Sequence, residues 1–186
     1  MQAANSWHFD GTRHGLRDRE WMALRFLARA NRFSRTPSAL AEFVGVTRGT
    51  ASQMVKRLEG KGYLERRRSA EDQRSVTLYV SPRGEKFLAR DPINPLVNAV
   101  GALDGGATRL RDTLRHVLDR LGTAQQRHHA DTCRECMFLT KNHADATDKA
   151  AAGFTCRFFR AAIKSEEIDL LCLNFERRGP LRVNGA

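Results

Sequence analysis

With 186 residues, of which 41% are hydrophobic and 28% charged, the chain suits one soluble globular domain with an appendage and excludes two large domains. A formal net charge of +11 favours a polyanionic partner, either nucleic acid or an anionic membrane surface. Residues 1–10 lack the basic start and apolar run of a secretory signal, and no stretch reaches the roughly 18 apolar residues of a membrane helix. The expectation is therefore a cytoplasmic chain with reduced thiols.

Residues 1–15 are polar, carry Gly11 and Gly15, and read as a flexible arm. Asp18 stands where a cap would begin a helix reaching about Ala30, with Trp21, Leu24 and Leu27/Ala28 as its buried stripe. Thr36-Pro37 is a second helix start, since proline at the first helical position loses nothing by lacking an N–H. The spacing predicts a short helix over 37–43 burying Leu40, Ala41 and Phe43 or Val44, then a tight turn at Gly45-Val46. Thr47 caps a third helix, in which Ala51, Met54, Val55 and Leu58 recur at i, i+3, i+4 and i+7. Gly60 and Gly62 close it, one of them in the left-handed conformation that glycine tolerates.

The hydrophobic period then changes. Residues 63–66 and 75–80 read as strands, the second turning Val76, Leu78 and Val80 inward, and the polar stretch 67–74 joins them as a hairpin. Ser81-Pro82 restarts a helix through about Ala89, which Asp91-Pro92 and Pro95 interrupt. A further apolar helix covers 96–103 and breaks at Asp104-Gly105-Gly106. An amphipathic helix follows from about Thr108 to His128, with Leu110, Leu114, Val117, Leu118 and Leu121 along one face near heptad spacing. The expected fold is mainly α with a small β-hairpin wing, an α+β winged helix-turn-helix over 16–90. It is followed by a helical dimerisation region over 91–130, a cysteine-bearing metal module over 131–178 and a flexible end over 179–186.

Helix, glycine turn, helix and basic hairpin form an arrangement with specific physics. The second helix must bury one flank so that the other can enter the major groove of double-stranded DNA. Ala51, Met54, Val55 and Leu58 are the apolar flank, and Gly49, Ser52, Gln53, Lys56 and Arg57 are the polar one. Thr36, Thr47 and Arg48 stand at helix starts, where backbone N–H groups meet phosphates. Arg48 suits guanine and Gln53 adenine, in bidentate contacts worth about 1–3 kcal/mol of discrimination each. Arg66, Arg67 and Arg68 open the hairpin and Arg74 closes it, with Asp72 placed to hold a guanidinium that enters the minor groove. The competing reading of these arginines is a solvated strand edge.

The run TPSALAEFVGVTRGTASQMVKRLEGKGYLER over 36–66, with EDQRSVTLYVSPRG over 71–84, resembles the core of the MarR family (multiple antibiotic resistance regulators). The resemblance covers roughly residues 16–90. It implies a homodimeric transcriptional regulator on a pseudo-palindromic operator, usually a repressor relieved by a ligand or by oxidation. By position, residues 47–56 become the recognition helix and Arg74 the wing arginine. Two features depart from the family. Only about 15 residues precede the first helix, where the family has a longer dimerising helix, and the helix after the wing is broken at Asp91-Pro92. Dimerisation is therefore expected to fall to residues 93–128, unless their apolar stripe packs within its own chain.

Cys133, Cys136, Cys156 and Cys172 all lie in the last 54 residues. Cys133-Arg-Glu-Cys136 lets two thiolates share one metal centre, and a tail this small needs a staple to hold a core. Three readings compete: an iron–sulfur cluster, which accepts one close pair plus isolated cysteines; a structural Zn2+; and a reversible thiol switch. His128, His129 and His143 are reserve ligands only. An enzyme is not expected, because no paired carboxylates, no nucleophile with its base and no phosphate-cradling glycine loop stand out. The rival readings are the same regulator with a purely structural zinc tail and a small-molecule effector, or a module that coats DNA without sequence preference.

Overall fold

A computed structural model of the chain describes residues 15–68, 76–120, 130–142 and 153–178. Helix α1 (Asp18–Arg29) starts one residue earlier than the sequence suggests. Arg17 is its cap, because the Glu20 carboxylate reaches back to accept the Arg17 N–H at 3.1 Å. Asp18 instead sits in the first turn, where an acid faces the positive end of the helix dipole.

Helices α2 (Pro37–Val44) and α3 (Arg48–Gly60) begin as expected. The Thr36 hydroxyl accepts the Ala39 N–H at 3.1 Å and the Thr47 hydroxyl accepts the Thr50 N–H at 3.2 Å. Gly45, at φ +70°, ends α2 and turns the chain into α3. Of the two glycines after α3, it is Gly62 that takes the left-handed conformation, at φ +73°.

Strands β1 (Leu64–Arg68) and β2 (Val76–Val80) pair antiparallel, with Leu64 opposite Val80 and Arg68 opposite Val76. Leu78 is fully buried, and Val76 and Val80 pack at the rim of the same core. Ser81 caps α4 (Pro82–Leu88) by accepting the Gly84 N–H at 3.0 Å.

One core joins these elements. Trp21, Leu24 and Leu27 of α1 meet Leu40 of α2, Met54, Val55 and Leu58 of α3, and Leu64 and Leu78 of the hairpin. Phe26 stacks on Phe43 at 4.1 Å, and Phe87 of α4 lies between Trp21 and Tyr63. The link after α4 is pinned back to α1 by a bidentate Arg25–Asp91 pair, both contacts 2.6 Å.

Helix α5 (Asn94–Gly101) begins two residues before the sequence expectation, since Pro95 is tolerated in a first turn. Helix α6 (Gly106–Arg120) likewise begins two residues early, following Gly105 at φ +62°. Leu96, Val97, Leu110, Leu114 and Val117 are exposed on these two helices, and Leu103 in the turn between them. Leu121 lies outside the described residues, as does the side chain of Leu118. Among the described residues, no helix is long and apolar enough to cross a membrane.

The tail forms two small sheets that its sequence pattern did not announce. Strand β3 (Asp131–Thr132) pairs with β7 (Leu171–Cys172), and β4 (Leu139–Lys141), β5 (Phe154–Cys156) and β6 (Ala161–Ile163) make a three-stranded antiparallel sheet. Its core consists of the four cysteines with Leu139, Ile163 and Ile168, edged by phenylalanines. The tail is docked rather than loose. Asn31 N–H donates to the Leu171 carbonyl at 2.8 Å, Leu173 N–H to Ser34 Oγ at 3.0 Å, and Arg32 to Glu167 at 2.9 Å.

Candidate nucleic-acid interface and cysteine pocket

Helix α3 divides into two flanks. Ala51, Met54, Val55 and Leu58 are buried, whereas Arg48, Gly49, Gln53 and Lys56 are exposed and Ser52 is half-buried. Thr47 is exposed at the N-terminal end, so the free N–H groups of the first turn point outward beside it. Thr36 is half-buried at the start of α2. A Cβ added at Gly49 would meet nothing closer than Thr47 Oγ1 at 3.9 Å. This part of the surface is open.

Arg57, expected on the polar flank, is turned to a different task. Its Nε donates to Glu20 Oε1 at 2.7 Å, and Lys61 Nζ lies 3.8 Å from the other carboxylate oxygen. Burial would raise the Glu20 carboxyl. The hydrogen bonds from Arg57 and the Arg17 N–H, with the charges of Lys61 and Arg57, overcome that and hold it below the ordinary glutamate range. The pair fastens the C-terminal half of α3 to α1. Sequence reasoning missed this, although a lone glutamate on the buried stripe of an amphipathic helix was a signal for it.

The wing continues the polar surface. Arg66, Arg67 and Arg68 are exposed along β1. Arg66 pairs with Glu59 of α3 at 3.0 Å, which ties the hairpin to that helix. Arg67 contacts Glu65 at 2.9 Å and lies over the Tyr79 ring, 4.6 Å from its centroid. Arg74 and Asp72 lie outside the described residues.

The four cysteines come together from three parts of the tail. All are free thiols, all are buried, and all line one small cavity with Asn31, Phe33, Phe159 and Asn174 among its walls. The Cys133 thiol donates to Cys172, which holds Cys172 down to about 6 despite its burial and pushes Cys133 up. Asn31 Nδ2 lies 3.8 Å from Cys133 Sγ, and Asn31, the Ser34 hydroxyl and the Asn174 N–H help to hold Cys172 down. Among the described residues, no three His, Cys, Asp or Glu side chains converge on a point where a single metal ion could sit. His128, His129 and His143, the reserve ligands, lie outside the described residues.

The C-x-x-C loop also touches α6. Glu135, between the two cysteines, accepts from Arg115 at 3.1 Å and lies 3.7 Å from Arg111. Arg115 also bonds Asp131. The cysteine pocket is thus flanked on one side by the α1–α2 loop and on the other by α6.

Residues 14–75 match the MarR family. The transcriptional repressor MprA of Escherichia coli strain K12 is 30% identical over 117 residues, which is 60% of this chain and 66% of MprA. The chain thus spans just under two thirds of that relative's length. Among solved structures, Streptococcus pneumoniae FabT in complex with DNA is similar at 23% identity and a TM-score of 0.46, over 59% of this chain and 78% of FabT. BldR of Sulfolobus solfataricus is similar at 26% identity and a TM-score of 0.45, over 59% of this chain and 78% of BldR. All four cysteines lie outside the segment that matches the family.

Proposed function

We propose that this chain, a member of the MarR family through its residues 14–75, is a sequence-specific DNA-binding transcriptional regulator that works as a homodimeric repressor. The observation that carries the reading is the division of α3: its apolar flank is pinned in the core, and its polar flank stands open. In that position Thr47 and the first-turn N–H groups take a phosphate, Arg48 and Gln53 read base edges, and Gly49, Ser52 and Lys56 line the contact. Thr36 takes a second phosphate at the start of α2. Arg67, Arg68 and Arg74 follow the wing into the minor groove. Arg57 acts through Glu20, as a positioning residue for α3. The repressor role follows what MprA is named for.

The dimer is supported by the apolar residues that α5 and α6 leave exposed, a patch that soluble chains cover with a partner. Response to metal or redox state through the four cysteines belongs to the same reading. Its support is the position of the C-x-x-C loop between α6 and the loop that leads into α2.

Selection from a random duplex library tests the proposal. A symmetric dimer is expected to enrich a pseudo-palindrome whose half-sites lie about 10 base pairs apart, one helical turn. Enrichment of no motif, with binding that falls steeply with salt on every sequence alike, would reduce the protein to a phosphate-coating module.

A further inference from the structure

The tail carries a surface that neither α3 nor the cysteine pocket uses, and the α1–α2 loop fixes its position. Arg32 donates to the Ala162 carbonyl of β6 at 2.5 Å, and Phe33 stacks on Phe159 of the β5–β6 turn at 4.1 Å. Further along the same loop, the Arg35 carbonyl accepts the Leu78 N–H of β2 at 2.7 Å. The β5–β6 hairpin is thus held on the loop that also holds the wing strand, just before the Thr36 cap of α2.

Charge is segregated within the tail. Its described acids lie in 131–135 and 166–176, where Asp131 and Glu135 face Arg115, Glu167 faces Arg32 and Asp169 faces Arg134. Strands β4, β5 and β6 and the β5–β6 turn contain no acid and carry Lys141, Arg157 and Arg160, all exposed. The turn itself reads Arg157-Phe-Phe-Arg160. Phe158 is 49% exposed, its ring 5.3 Å from that of half-buried Phe138. Exposed Met137 adjoins them, its carbonyl accepting from Arg157 at 2.8 Å. Arg160 stands at φ 51°, in the left-handed region that glycine occupies without strain and other residues do not. Among the described residues, neither Arg157 nor Arg160 is in an ion pair. An arginine kept in a strained turn, with no acid of its own chain to hold, fits an anionic partner outside the chain.

We infer that the β5–β6 turn is a second DNA contact, in which Arg157 and Arg160 fork onto phosphates flanking the site read by α3 and Phe158 packs into the adjoining minor groove. Guanidinium groups suit phosphate because their N–H donors are fixed in a plane. The turn is far smaller than a stable protein interface, so it adds to binding only where another surface already holds the partner. Its place on the loop between wing and α2 supplies that condition, and in this respect the inference rests on the proposed regulator.

The test uses the full chain and the variant Phe158→Ala/Arg160→Gly. Glycine suits the left-handed turn and both replaced side chains are exposed, so the variant is expected to keep the wild-type Tm. Anisotropy is read on a selected duplex of about 20 base pairs and on the same site in a duplex of about 40. Wild type is expected to bind the longer duplex about tenfold tighter, and the variant to lose that gain while binding the shorter one as wild type does. The salt slope of the variant on the longer duplex is expected to be shallower by about 1. Arg160→Lys, which keeps the charge, is expected to retain most of the gain. A folded variant that matches wild type on both duplexes would overturn the inference. So would two variants that bind DNA alike while only wild type sediments with vesicles of anionic phospholipid, or a double variant that has merely become monomeric. Wild type that does not prefer the selected site to its scrambled version would count against the regulator alone, because the turn is read from the difference between wild type and variant on either sequence.

Discussion

Glu20 keeps its charge while 3% exposed, on the buried stripe of α1. Three donors make this possible: Arg57 Nε, the Arg17 N–H and, at longer range, Lys61. Because the folded state holds this carboxyl below its unfolded value, the stability it contributes is complete above the unfolded value. That contribution is lost as pH falls through the folded one. Glu20→Gln removes the charge and so removes this source of acid sensitivity. The variant is expected to be less stable by about 1–3 kcal/mol at neutral pH, with a flatter loss of stability below the ordinary glutamate range. Urea unfolding across a pH series measures both, and parallel acid limbs in the two proteins would show that Glu20 is not the group responsible. Arg57 is about half exposed, so its own loss should matter less to folding than to the placement of α3.

At the scale of elements, the wing and α4 meet at Gly84. A Cβ there would lie 2.3 Å from the Tyr63 carbonyl oxygen and 2.7 Å from Val80 Cγ1. The nearer obstacle is backbone and cannot swing away. Gly84→Ala is therefore expected to cost about 1–3 kcal/mol, visible by calorimetry as a drop of several degrees in Tm. An unchanged Tm would mean that the hairpin and α4 are not packed as described. Gly49→Ala is the matched control, since α3 has room for the added methyl.

Elements whose causes are local were legible in the sequence. The caps at Thr36, Thr47 and Ser81, the turn at Gly45 and the buried flank of α3 all depend on residues within one or two turns of each other. Long-range pairings were not. Asn31 reaches Cys133 across 102 positions and Arg57 reaches Glu20 across 37, and polar side chains that are buried by a distant partner leave no periodic trace. The sheets of the tail escaped for another reason: strands of two or three residues are too short for alternation to register. The cysteines were legible as a cluster in sequence, but their shared cavity and their contacts to the α1–α2 loop required the fold.

Taken whole, the molecule connects its sulfur pocket by hydrogen bonds to two parts of its surface. The exposed apolar residues of α5 and α6 lie on one side, reached through Glu135 and Arg115. The polar flank of α3 lies on the other, reached through Asn31, Ser34 and α2. In a symmetric dimer the separation of the two α3 helices sets which half-site spacing fits, so small shifts on the α6 side would be felt at the DNA. That arrangement matters only if α3 reads DNA. The direct measurement is fluorescence anisotropy with Gln53→Ala/Lys56→Ala and the wild-type chain, on a selected duplex and on its scrambled version at fixed salt. The double variant is expected to keep the wild-type Tm and lose about tenfold or more of its preference for the selected duplex, with a salt slope shallower by about 1. A folded double variant that discriminates between the two duplexes as well as wild type would contradict the account.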